Sequence, residues 1–204
     1  GYKMRKERVA MRPLVEEVAR KAAHLPRQAE FVTGDLSALD GAEVIGDADA
    51  LRQLLFIFIE NAFKYTPSGS VTLSALRSED GGSIGLRIRD TGIGMERDHV
   101  PRIFERFYRI DPSRSERSGT GLGLSIARWI IDEHKGAVEV MTRPGAGTTF
   151  VIWLPLAAGG PEADAPAETT YWSSKPLAAS PSRPASASAA NAAPADPQRH
   201  TPRE

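Results

Sequence analysis

The sequence predicts a two-layer α/β (α+β) sandwich, a mixed and largely antiparallel sheet with helices on one face. Three features carry that prediction. Three segments repeat their apolar residues every three or four positions, as amphipathic helices do. Two further pairs of short strand-like segments flank glycine-containing turns, as hairpins do, and the first pair alternates apolar and polar residues. Helices and hairpins then follow one another in an order that buries both on a shared core.

The first helix is expected over Arg12–Ala23, with Leu14, Val15, Val18, Ala19 and Ala22 as its stripe and a proline at its start. Glu30–Leu36 reads as a short strand. A second helix follows Gly46-Asp47, where Asp47 is the expected N-cap, and runs on Leu51, Leu54, Leu55, Phe58, Ile59 and Ala62 until Thr66-Pro67-Ser68-Gly69 stops it. Val71–Leu76 and Ile84–Arg89 form one hairpin around Asp80-Gly81-Gly82. A third helix spans Leu122–His134, and Ala137–Met141 with Thr148–Leu154 form a second hairpin across Arg143–Gly147.

Chemistry-bearing residues cluster where these elements join. Around the second helix at 100° per residue, Ile57, Asn61 and Lys64 lie on one border of the apolar stripe, with Tyr65 just inside it. Asn61 offers an amide oxygen to a hard cation and Lys64 a charge to phosphate, although the helix could simply end in polar residues. Asp90-Thr-Gly-Ile-Gly-Met95 begins where a strand ends. Gly92 and Gly94 let the backbone approach a flat ligand, and Asp90 can accept from an exocyclic amine; an Asx turn is the alternative reading. Gly119-Thr120-Gly121-Leu122-Gly123-Leu124 opens the third helix, so its amides and dipole suit phosphate. Leu124 stands where a dinucleotide fingerprint needs glycine, and no Lys-Ser/Thr pair follows, so both common phosphate loops are excluded.

Composition narrows the classes further. Basic and acidic residues balance at 26 each, which gives no electrostatic footprint for nucleic acid. There is no cysteine, hence no disulfide or thiolate metal site, and the longest apolar run, Leu54–Ile59, is too short to span a bilayer. No signal peptide is visible, and the Gly1-Tyr2 start suggests a piece excised from a longer protein. Residues 157–204 contain 14 Ala, 8 Pro and 6 Ser, too little apolar bulk to offset the entropy of ordering, so they read as a disordered tail. A docking peptide around Tyr171-Trp172 is the other reading of that tail.

In their order, Asn61 with Lys64-Tyr65, Asp90-Thr-Gly-Ile-Gly94, Ile103-Phe-Glu-Arg-Phe-Tyr-Arg109 and Gly119-Thr-Gly-Leu-Gly-Leu124 resemble the N, G1, F and G2 boxes of sensor histidine kinases. The resemblance covers residues 12–156, ending in Gly147-Thr-Thr-Phe-Val-Ile-Trp-Leu-Pro155, and leaves 1–11 as a linker remnant. It implies the Bergerat ATP-binding fold shared with gyrase, Hsp90 and MutL. By position, Asn61 would bind Mg2+ bridging the phosphates of ATP, and Lys64 and Arg109 would neutralise phosphate charge. Tyr65 would pack near the nucleotide, Asp90 would select adenine, and Thr149 would join its water network. Residues 96–118 would form the ATP lid, anchored by Phe104 and Phe107. Arg106, Arg109 and Arg114 would make it basic, although Arg114 also reads as part of a solvated face.

The hydrolases of that superfamily resemble one another in carrying a glutamate four residues before the asparagine, where it activates water. Here that position is Ile57, which accepts no proton, and Glu60 is turned about 100° away. The chain therefore reads as a domain that holds ATP for another nucleophile. None of its four histidines lies in an acceptor-like motif, and His134 is expected to pack or cap the third helix. The resemblance implies as partners a histidine phosphotransfer and dimerisation domain and a response regulator. It implies a monomeric cytoplasmic piece of a membrane-bound sensor, without membrane contact of its own. An anti-sigma-type serine kinase and a degenerate nucleotide-binding module are the alternatives.

Overall fold

In a computed structural model, residues 3–110 and 120–157 are described. Seven strands and three α-helices occupy them in the order β1 (Glu7–Ala10), α1 (Met11–Ala22), β2 (Glu30–Thr33), β3 (Glu43–Gly46), α2 (Ala48–Lys64), β4 (Ser70–Arg77), β5 (Ser83–Asp90), α3 (Gly123–Glu133), β6 (Ala137–Arg143) and β7 (Gly147–Pro155). Short 3₁₀ helices lie at Ser37–Leu39 and Arg97–Arg102.

Five strands make the main sheet in the order β2-β4-β5-β7-β6. Only β2 and β4 run parallel; the other three pairings are antiparallel. This is the mixed, largely antiparallel sheet that the two hairpins predict. Strand alternation sends Leu73, Ile84, Leu86, Ile88, Phe150, Ile152 and Val140 to one face, all buried. On that face Phe58 of α2 meets Phe150 with ring centroids 4.9 Å apart, and Phe63 meets Phe31 edge-on at 5.5 Å. The core lies between this face and the helices.

The helices follow their periodicity closely. In α2, Asp47 caps the first turn as expected, its Oδ1 accepting from the Asp49 and Ala50 amides. Leu122 and His134 flank α3 as its caps instead of lying inside it. The strand expected over Glu30–Leu36 ends at Thr33, because the Asp35 carboxylate accepts from the Ser37 amide and turns the chain into the first 3₁₀ helix.

One feature has no sequence signal. Strands β1 and β3, four residues each, pair antiparallel in a separate two-stranded sheet, Glu7 opposite Gly46 and Ala10 opposite Glu43. Four residues are too few to show a period, and their pairing is long-range. The stretch read as a linker remnant thus contributes β1 and buries Met4 and Val9. The expected tail lies outside the described residues from position 158 onward. Among the described residues, no helix is long and apolar enough to cross a membrane.

Candidate nucleotide site

The C-terminal end of α2 abuts the loop that leaves β5. Tyr65 closes α2, its amide donating to the Asn61 carbonyl at 3.2 Å. From the same turn, the Tyr65 carbonyl accepts from the Ile93 amide at 3.0 Å. Gly92 makes that junction possible: a Cβ there would lie 2.1 Å from the Tyr65 carbonyl oxygen and 2.7 Å from Thr66 Oγ1. Gly94 lies equally close to the Arg143 carbonyl in the β6–β7 turn. Both glycines therefore admit protein backbone, which holds the loop in place before any ligand arrives.

Asp90 ends β5 on the helix-facing side and is 5% exposed. Its Oδ1 accepts from the Gly92 amide at 2.9 Å and the Thr148 amide at 3.2 Å. Burial raises its carboxyl above the ordinary 3.8, while those two amides and nearby Thr66 pull in the opposite direction. Thr66 itself is fully buried; its Oγ1 meets no partner in good hydrogen-bond geometry, although it lies near enough to the Asp90 carboxylate to favour its charged form. A buried hydroxyl left orphaned beside a buried carboxylate is unusual in a folded protein and marks a place for a polar ligand. A ring edge that offers one donor beside acceptors, such as that of adenine, would match this pair.

The phosphate-facing groups lie on the two helices. Asn61 is half-buried on α2, and Lys64 is exposed with its Nζ 5.1 Å from the Tyr65 ring centre. Ile57 is half-buried, with Cγ2 3.5 Å from where a Cβ on Gly123 would sit. The position that would hold a water-activating glutamate thus packs α2 on the start of α3, and Glu60 points to solvent. Thr120, Gly121 and Leu122 lead into α3, whose first residues Gly123 and Leu124 leave amides without intrahelical partners, and this start lies against α2 at Ile57, one turn before Asn61. Among the described residues, no cluster of His, Cys, Asp or Glu could hold a metal alone.

Two expected residues are placed differently. Thr149 stands opposite Arg89 and Met141 in the ladder, on the sheet face away from the helices. Phe150 packs on Phe58, so its neighbour at 149 must point the other way, and Thr148 takes the place beside Asp90. Phe104 is buried at 4% exposure, whereas Phe107 is 70% exposed with a left-handed φ of 63°. Its amide instead donates to the Gly121 carbonyl at 2.9 Å, joining the F box to the glycine loop.

The anchors that sequence reading missed are Tyr108 and His99. The Tyr108 hydroxyl lies 2.6 Å from His99 Nδ1, and the Arg102 guanidinium stacks 4.3 Å above the Tyr108 ring. Arg109 follows, half-buried. Arg114 with the remainder of the expected lid from 111 to 118, and Gly119 of the glycine loop, lie outside the described residues. Thr66 carried no signal in the sequence because only folding makes it an orphan.

Residues 46–158 match the family described as histidine kinase-, DNA gyrase B-, and HSP90-like ATPase. Sensor-like histidine kinase SenX3 of Mycolicibacterium smegmatis is 38% identical over 116 residues, 56% of this chain and 30% of that protein. Sensor protein SrrB of Staphylococcus aureus is 42% identical over 113 residues, 53% of this chain and 19% of that protein. The chain thus spans less than a third of the length of these curated relatives. Among solved structures, the mycobacterial sensor histidine kinase MprB superposes with a TM-score of 0.61 at 26% identity, over 74% of this chain and 97% of that one. Full-length ShkA in complex with AMPPNP gives 0.65 at 31% identity, over 78% of this chain and 33% of that one.

Proposed function

The chain belongs to the histidine kinase-, DNA gyrase B- and HSP90-like ATPase family, and from that premise we propose that it is the ATP-binding catalytic domain of a two-component sensor histidine kinase. It holds ATP and Mg2+ so that the γ-phosphoryl group passes to a histidine on a dimerisation domain outside this chain, for relay to a response regulator. Domain limits of 12–156, with β1 attached ahead of them, and a cytoplasmic position under a membrane-bound parent belong to the same reading. The observation that carries it is the buried Asp90 carboxylate beside the orphaned Thr66 hydroxyl and the Thr148 amide. The complex of ShkA with an ATP analogue and the names of SenX3 and SrrB support the choice of branch.

Bound ATP supplies an activated phosphoryl group, and Mg2+ offsets its charge. The residues of this chain do the holding. Asp90 and Thr66 recognise the base edge, Asn61 presents an amide oxygen to the cation, and Lys64 and Arg109 bring positive charge to the phosphates. The amides that open α3 add a fixed partial charge. Ile57 excludes a proton acceptor from the point at which water would be activated, so hydrolysis is slow and ATP waits for an external nucleophile.

Incubation with labelled ATP and Mg2+ tests the reading. The chain alone should acquire no label, and an added histidine-bearing helical hairpin domain should acquire acid-labile, base-stable label. Label on a serine of an anti-sigma antagonist instead, or on neither protein, overturns it. For the metal, Asn61→Ala should weaken ATP binding about 10-fold or more when Mg2+ is present and little in chelator, measured by calorimetry.

A further inference from the structure

The two helices that carry the candidate phosphate groups also meet at their opposite ends, in a buried hydrogen-bonded junction. Asp47, 1% exposed, caps α2 with Oδ1, and its Oδ2 accepts from the Arg5 amide at 3.1 Å. The Asp47 amide donates to Nε2 of His134 at 3.0 Å. His134, 7% exposed, closes α3 and donates from Nδ1 to the Ile130 carbonyl at 2.7 Å. A backbone amide can only donate, so these two bonds select the tautomer protonated on Nδ1. The ring also rests on the backbone of β3: a Cβ on Gly46 would lie 2.3 Å from His134 Cδ2. One imidazole thus fixes the end of α3 to the start of α2, and one carboxylate ties that start to residue 5.

From this junction α2 runs about 21 Å to Asn61 at 1.5 Å per residue, and α3 runs back to the glycine loop. An axial slide of α3 against α2 would change the separation between Asn61 and the Gly121–Gly123 amides directly. Packed helices transmit such slides because their interiors are dense and scarcely compressible. We propose that His134 is a positioning residue for the nucleotide site, and that the Arg5–Asp47 bond couples docking of residues 3–6 to nucleotide affinity. When that segment detaches, the junction loosens and affinity falls. By linkage, bound nucleotide tightens the attachment of the segment by the same factor. The inference rests on the nucleotide reading given above.

Three variants separate this role from simple structural support. His134→Asn keeps a donor near the Nδ1 position for Ile130 but is too short to reach the Asp47 amide. His134→Gln reaches that amide with its Oε1 as acceptor. Asp47→Asn retains an oxygen to cap α2, while its NH2 group cannot accept from the Arg5 amide. Melting curves establish that each variant folds. Amide exchange over residues 3–10, with and without ATP and Mg2+, and calorimetric ATP affinity are then the readouts.

In the unaltered chain, nucleotide should slow exchange over residues 3–10. His134→Asn and Asp47→Asn should abolish that slowing and weaken ATP binding about 5-fold. His134→Gln should keep both. Nucleotide binding without any change in exchange at residues 3–10 overturns the coupling, as does identical behaviour of His134→Asn and His134→Gln. An unaltered chain that binds no ATP overturns the nucleotide reading itself, and the coupling with it.

Discussion

Asp90→Asn is expected to remove ATP binding while leaving the domain at least as stable as before. The amide oxygen can take over the bonds that Oδ1 accepts from the Gly92 and Thr148 amides. Its NH2 group then faces the adenine amine, donor against donor, inside a buried site. Sites built to pair a polar ligand group discriminate strongly when the pairing fails, so a loss of about 100-fold or more is expected in calorimetry.

Stability should move in the opposite direction. The folded carboxyl titrates above its ordinary 3.8, so the stability it contributes is fully present below that value and is lost as pH rises through the raised one. At neutral pH the ionised, buried Asp90 therefore costs folding free energy that Asn does not. The melting temperature of Asp90→Asn relative to the original chain should rise from about pH 4 to about pH 7. A difference that falls over this range would refute the desolvated carboxylate, and unchanged ATP affinity would refute the base-binding role.

Gly92→Ala is expected to disrupt the junction through backbone contact alone, with no positive φ adding to the cost. The added Cβ would sit 2.1 Å from the Tyr65 carbonyl oxygen and 2.8 Å from its carbon, both backbone atoms that no rotamer change can move. Relief requires the loop after β5 to lift from the end of α2, which breaks the Ile93–Tyr65 bond and pulls the Gly92 amide from Asp90. A cost of about 3 kcal/mol is expected, at the upper end for overpacking, along with loss of ATP binding. Gly81→Ala is the control. Nothing lies within 4 Å of its Cβ, and only the strain of φ +73° opposes it, about 1 kcal/mol. Equal losses in the two variants, by denaturant unfolding, would refute the packing argument.

Much of this was legible along the chain. The spacing of Leu51, Leu54, Leu55, Phe58 and Ile59 dictated α2, since a 3.6-residue period can bury those side chains on only one face. The placement of Asp47 before it and Thr66-Pro67 after it marked both ends. The Asp90 motif and the glycine loop could be read because their chemistry is local, a carboxylate at a strand end and amides at a helix start. What could not be read is what depends on partners distant in sequence. Strands β1 and β3 exist because they pair with each other, and the bond between Tyr108 and His99 exists because a loop folds back.

The choice between Thr148 and Thr149 shows the division most clearly. Both threonines stand in one expected strand, and the two-residue period of a strand alone determined that they face opposite ways. Which of them lies beside Asp90 was decided by Phe150 packing on Phe58, a contact across 92 positions of chain. The same holds for the site as a whole. Composition, periodicity and local motif determined that this chain carries a glycine-rich helix start and a carboxylate at a strand end. Tertiary structure decided that both border α2, burying Thr66 beside Asp90, packing Ile57 against Gly123, and joining the far ends of α2 and α3 through His134. Local preferences act within a few residues, whereas burial and hydrogen-bond satisfaction are settled only when distant segments compete for the same interior space.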